Sequence, residues 1–199
     1  MSRILIVSRT RMHNGVCVGG LNIDDRSFVR LHNEHGGNLP VDAPYQIGEL
    51  WDLRLDAPWN PRERPHVEDK MVMYAIKIQD SMDVRSVVRS LGVQIYEGGI
   101  ENIFEGHLKY TRSGKPFVND EGIPANSVCF WRTDAALTPI MYYGKLVYQY
   151  KNKLLPFVGF QENQAIEAGT LVRMSLANWW QPEDGDAERR CYVQLSGWY

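Results

Sequence analysis

The chain has 199 residues, 44% hydrophobic and 23% charged, with a formal net charge of −2 and a pI near 6.2. That balance fits a globular protein with a real core and excludes a wholly disordered chain. No run of about 18 apolar residues occurs, which excludes a membrane-spanning helix, and the slightly acidic charge argues against tight, non-specific binding of duplex phosphates.

The first apolar run, residues 4–7, is short and is soon followed by Arg9 and Arg11. It lacks the length and the cleavage site of a signal peptide and reads as a buried first strand. Val16-Cys17-Val18 passes through Gly19-Gly20 to Leu21 and Ile23, and Asp24-Asp25 turns the chain into a strand over 27–31. Paired glycines inside a strand predict a bulge or a close approach to the backbone. Residues 32–46, rich in Gly, Asn, Pro and Asp, read as a loop, and 50–55 as a further strand. Pro58, Pro61 and Pro65 keep 58–65 out of a central sheet, because proline removes ladder donors. Strand character resumes over 71–78.

The clearest helix follows. Asp80 and Ser81 are N-cap candidates, Val84, Val87, Val88 and Leu91 form the apolar stripe, and Gly92 supplies the stop. This helix marks a seam, giving a first half over 1–92 and a second over 93–199. In the second half, strands over 108–110 and 116–118 flank the turn Ser113-Gly114-Lys115. Residues 128–132 read as a buried strand, and 146–150 and 154–160 flank Lys151-Asn152-Lys153. Strands over 171–176 and 191–195 enclose an acidic loop at 182–188. The expected architecture is mostly β with minor α: two small barrels in tandem, joined through a helix.

Cys17, Cys129 and Cys191 are odd in number, far apart and flanked by strand residues. They read as buried thiols in a reducing, cytoplasmic setting rather than as a disulfide or a zinc site, and no metal or cofactor is expected.

Two polar segments carry candidate chemistry. In the first, 8–20, Arg9, Thr10, Arg11 and Asn14 could hold a phosphate or a base edge through charge-assisted hydrogen bonds. Spacing alone favours a connection whose side chains cap strand ends, since the spacing of a phosphate-cradling P-loop is missing. In the second, Pro65-His66-Val67-Glu68-Asp69, an extended backbone points His66 and Glu68 to one side. Such a pair could bind metal or act as acid and base, but a lone His and Glu after a proline-rich loop more often form hydrogen bonds that pin the loop. The Pro-Cys-x-x-Cys that accompanies His-x-Glu in zinc deaminases is missing. No residue is therefore assigned a catalytic role. Aromatic residues crowd the second half, including Trp131, Tyr142, Tyr143, Tyr148, Tyr150 and Trp198. They could stack bases or fill a small barrel. Trp179 and Trp180 cannot both point inward if extended, so one of them is expected at a surface or an interface.

Three stretches together resemble the dual OB-containing domain family of prokaryotic proteins, over nearly the whole chain: residues 8–20 with Arg30, then 65–69, then Leu195-Ser196-Gly197-Trp198. The resemblance implies two oligonucleotide/oligosaccharide-binding barrels in tandem and a nucleic-acid or nucleotide-linked role, in genome defence or nucleic-acid processing. It carries over no catalytic residues. The matched positions Thr10, Arg11, Asn14, Arg30, His66, Glu68 and Asp69 are candidates for a shared site. The expectation is a non-enzymatic module that takes single-stranded nucleic acid or a nucleotide, with Arg9, Arg11 and Arg30 meeting phosphate and Trp or Tyr side chains stacking on bases. Two alternatives stand beside it. One is a protein-interaction subunit using Trp179 and Trp180. The other is a nucleotide-processing enzyme, which requires His66, Glu68 and Asp69 to converge with Arg11 or Arg30.

Overall fold

The computed structural model describes residues 1–181 and 188–199. Of the acidic loop expected at 182–188, all but Glu188 lies outside the described residues. The chain divides into two compact units: Met1–Val93 with Tyr199, and Gln94–Trp198.

In the first unit, β1 (Ser2–Met12), β2 (Gly15–Asn22), β3 (Phe28–His32), β4 (Leu50–Asp56) and β5 (Asp69–Gln79) form a closed barrel in the order β1-β2-β3-β5-β4. Every pairing is antiparallel except β3 with β5. Period-2 alternation sends Val16 and Val18, Val29 and Leu31, and Trp51 and Leu53 into one core with Ile4 and Ile6. The long connection between β3 and β4 adds Leu39, Ala43 and Tyr45 to that core, with the Tyr45 and Trp51 rings edge to face at 4.8 Å.

Residues 8–20 are not a connection. β1 continues through Arg9 and Arg11 to Met12, and only His13 and Asn14 separate it from β2. The expected irregularity at Gly19-Gly20 is real, but the extra residue sits across from it. Ile6 pairs with Gly20 and Ser8 with Gly19, which leaves Val7 unmatched in β1. Gly20 is needed for space. A Cβ there would lie 2.3 Å from Ile4 Cγ2 and 2.9 Å from Val29 Cγ2, both core atoms.

The helix α1 (Val84–Ser90) buries Val84 and Val88 as its stripe requires, but it starts later than expected. Asp83 is the cap, accepting from the Arg85 N–H at 3.0 Å and from the Ser86 hydroxyl at 2.6 Å. Asp80 is instead paired with Lys77 at 2.6 Å. Among the described residues no helix is long and apolar enough to cross a membrane.

The second unit holds β6 (Ile95–Gly98), β7 (Lys109–Tyr110), β8 (Pro116–Val118), β9 (Val128–Thr133), β10 (Thr138–Tyr142), β11 (Lys145–Tyr150), β12 (Lys153–Pro156), β13 (Leu171–Leu176) and β14 (Cys191–Trp198). Six of these strands form a curled half-barrel sheet in the order β6-β9-β13-β14-β8-β7, and β10-β11-β12 form a second sheet. The core is aromatic. Trp131 and Tyr150 meet edge to face at 5.1 Å, and Tyr148 contacts Phe157 at 5.5 Å and Trp198 at 5.7 Å. Most of the aromatic residues that the sequence offered for base stacking are therefore spent on packing. β10 escaped sequence reading because it is an edge strand containing Pro139, where a missing donor is tolerated.

All three cysteines are free; Cys129 and Cys191 are buried, whereas Cys17 is only partly so. Burial pushes the Cys129 thiol up to about 12, which marks it as unreactive.

The geometry at Gly20 predicts that Gly20→Ala, a substitution of one methyl group, destabilises the first unit by about 1–3 kcal/mol through overpacking. Chemical denaturation of the variant against the wild type measures it.

Candidate functional site

The strand registers build a polar site on the outside of the first barrel. Val18 lies opposite Leu31, and both point into the core. Their neighbours on each strand therefore point outward: Cys17 on β2, and Arg30 and His32 on β3. Thr10 lies opposite Cys17 and shares that face. Gly19, opposite Arg30, puts no side chain in the way. On the other side of β3, the parallel register sets Asp69 beside Arg30, and the Arg30 N–H donates to the Glu68 carbonyl at 2.8 Å.

Asp69 organises the site. Only 5% exposed, it accepts from Arg30 Nε through Oδ1. His32 Nε2 lies 3.1 Å from the same oxygen, off the line that a good hydrogen bond needs. Arg62 Nε, from the proline-rich connection, is 3.2 Å from Oδ2. On the far side of the His32 ring, Nδ1 is 3.3 Å from the Gly37 carbonyl. Burial alone would raise the Asp69 pKa, but the close contacts of His32 and Arg30 and the charge of Arg30 outweigh it and hold the carboxyl at about 2. Burial opposes the Arg30 charge, while Cys17, Asp69 and Glu68 favour it, and the balance raises the Arg30 pKa.

Arg30, His32 and Arg62, with Met12, Cys17, Leu31 and Asn38, line a small open pocket. The Arg30 Nη2 atom is buried and makes no hydrogen bond. Two guanidinium forks, an imidazole and an amide give this pocket more donors than acceptors. That chemistry suits an anionic or acceptor-rich ligand such as a phosphate or a base edge.

The predicted residues are divided by the fold. Arg30, Glu68 and Asp69 come together, and Thr10 shares their face. Arg9 pairs with Val18, and Arg11 with Val16, so alternation points both away from Thr10 and Arg30; the three arginines do not form one phosphate clamp. The Arg9 guanidinium donates to the Val41 carbonyl. Arg11 is exposed near the end of β1, and Asn14 sits in the turn with its Oδ1 2.8 Å from His13 Nδ1. His66 and Glu68 are both buried with Val67 exposed between them, but the backbone is not extended there. The Val67 N–H donates to the Pro65 carbonyl at 2.9 Å in a tight turn centred on His66. His66 lies outside the pocket lining. Among the described residues no three His, Cys, Asp or Glu side chains are grouped to hold a metal ion. Trp179 is partly buried, with the Arg189 guanidinium 4.5 Å from its ring, whereas Trp180 is 49% exposed.

Sequence reasoning missed His32, Arg62, Asn38 and Met12. His32 had a usable signal, since it lies two residues beyond Arg30 on the same strand face. Arg62 had none, because nothing periodic places a residue of a proline-rich connection.

A closed five-stranded barrel with its polar site on the β2–β3 face has the form of an OB-fold, whose ligands bind on that face. The whole chain carries this identity: it matches the dual OB-containing domain over residues 2–198 and belongs to that family. A dual OB domain is in general a nucleic-acid-binding type of module. No curated protein matches the chain.

Asp69→Asn keeps the shape of the side chain and removes its charge, leaving Arg30 without its counter-ion. The expected cost at neutral pH is about 2–3 kcal/mol. Because the folded-state pKa is depressed, this contribution is complete above the ordinary carboxylate range and is lost as pH falls through about 2. Denaturation midpoints of wild type and variant should therefore converge on acidification and stay apart above about pH 4.

Proposed function

We propose that the chain is a non-catalytic recognition module for single-stranded nucleic acid or a nucleotide, and that it binds through the outer face of the first barrel. The observation that carries this reading is the donor-rich pocket of Arg30, His32 and Arg62 on the β2–β3 face, where Asp69 fixes the side chains from beneath. Arg30 and Arg62 meet phosphate or a base edge; Cys17 and Met12 supply apolar contact. The overall acidity of the chain supports selective binding, since there is no general positive field to hold any polyanion. A His66-based catalytic centre draws less support, because His66 is not among the residues that line the pocket.

Fluorescence anisotropy with labelled oligo-dT and with a labelled nucleotide, at low salt, tests this reading. Arg62→Gln should weaken binding at least about fivefold and reduce the salt slope by about 0.7. Arg30→Lys keeps the charge but loses the fork, and should also weaken binding. Wild-type affinity in both variants contradicts the proposal.

A further inference from the structure

A different surface, in the second unit, has its own unexplained chemistry. β10 and β11 meet at the turn Tyr143-Gly144, where both residues have positive φ, 48° and 72°. Such hairpin turns favour Asn-Gly, because a larger side chain crowds the backbone in the left-handed region. Tyr143 bears that strain and recovers nothing through burial, as it is 88% exposed. Its ring meets Tyr142 edge to face at 4.6 Å.

Cations flank the sheet that carries this pair. Lys115 Nζ lies 5.8 Å from the centre of the Tyr142 ring, and Lys153 Nζ lies 3.9 Å from that of Tyr110. Lys145 follows the turn directly and is exposed, and Arg112 is exposed at the β7–β8 turn. Two further lysines are neutralised locally, Lys109 by Glu121 and Lys151 by Asp134 at 2.9 Å. Arg112, Lys115, Lys145 and Lys153 meet no carboxylate among the described residues.

The β10–β11 and β11–β12 turns stand at opposite ends of β11, and the β7–β8 turn is fixed to the second of them. The Leu154 N–H donates to the Gly114 carbonyl at 3.3 Å. Gly114, at φ +81°, has the Asn152 carbonyl 2.6 Å from where a Cβ would stand. The β7–β8 turn is thus seated on the β11–β12 turn, and Lys115 ties it to Tyr142.

We infer that the surface running along β11, from the β10–β11 turn to the paired β7–β8 and β11–β12 turns, binds single-stranded polynucleotide, with Tyr142 and Tyr143 stacking on bases and Arg112, Lys115, Lys145 and Lys153 holding backbone phosphates. Every base offers a π-face, so the stacking is tolerant of sequence. Lys115, already seated over the Tyr142 ring, places a phosphate contact beside the stacked bases. The inference rests on the nucleic-acid reading for its ligand class and adds a second contact face to it.

The test is a titration of the full chain against labelled oligo-dT and oligo-rU of about twelve nucleotides. The variants are Tyr143→Asn, the triple change Lys115→Gln, Lys145→Gln and Lys153→Gln, and the first-barrel variant Arg62→Gln. Tyr143→Asn should weaken binding about tenfold while raising the thermal unfolding midpoint, because Asn accepts the left-handed turn. That opposite movement separates loss of a contact from loss of the fold. The triple variant should lower the salt slope by about 2. Polyglutamate at matched charge should compete poorly, since it has no bases. Weakening confined to Arg62→Gln overturns this inference and leaves the first-barrel reading standing; weakening confined to the second-unit variants does the reverse. No wild-type binding to either strand overturns both, and equal competition by polyglutamate overturns the stacking surface.

Discussion

The first barrel depends on a seam three residue pairs long. β3 and β5 run parallel only from Arg30 with Asp69 to His32 with Met71, and this short ladder is what closes the sheet on itself. Parallel strands cannot be joined by a tight turn, so the chain must travel through β4 and the proline-rich connection before it returns. A seam so short needs something to fix its register. The Arg30–Asp69 ion pair does this, because a slip of one residue would carry Asp69 to the core face and leave a charge without its partner. The constraint that closes the barrel is thus also the one that builds the site. Asp69 holds Arg30, His32 and Arg62 at once, and those three side chains line the pocket.

The second unit solves the same packing problem by other means. Its sheet curls without closing, and a cluster of large rings fills it: Trp131, Tyr148, Tyr150, Phe157 and Trp198. Its outward chemistry sits on turns rather than on strand faces. Turns tolerate strain and exposure that a packed strand cannot, which is why a fully exposed tyrosine appears at the β10–β11 tip. The two units therefore carry different contact chemistry, a donor-rich pocket in one and a cation–aromatic surface in the other, and both suit an anionic, base-bearing strand.

Much of the fold was legible in the sequence, since strands with one apolar face announce themselves by alternation. Val16 and Val18, Val29 and Leu31, and the Val84–Val88 stripe all lie where their spacing placed them. The far end of β1 was hidden because Arg9, Thr10 and Arg11 are all polar, so alternation leaves no apolar mark there. The helix cap moved from Asp80 to Asp83 because Asp80 is drawn to Lys77. The site was half legible. Arg30 and Asp69 could be named as candidates from motif resemblance, yet their contact depends on a parallel register that local pattern cannot encode. His32 opens a segment whose Gly, Asn and Pro content marks it as a loop, and Arg62 stands in a segment with no period at all. The aromatic signal was real but pointed mainly inward, and only the structure separates Tyr143 from Tyr148.

The central claim is that the face organised by Asp69 on the first barrel is where the ligand sits. Hydrogen–deuterium exchange on the full chain, with and without saturating oligo-dT of about twelve nucleotides, tests it most directly. The account predicts slowed exchange over residues 10–17, 28–38 and 60–70, the strands and connections that frame the pocket. Binding accompanied by unchanged exchange in all three segments would contradict it.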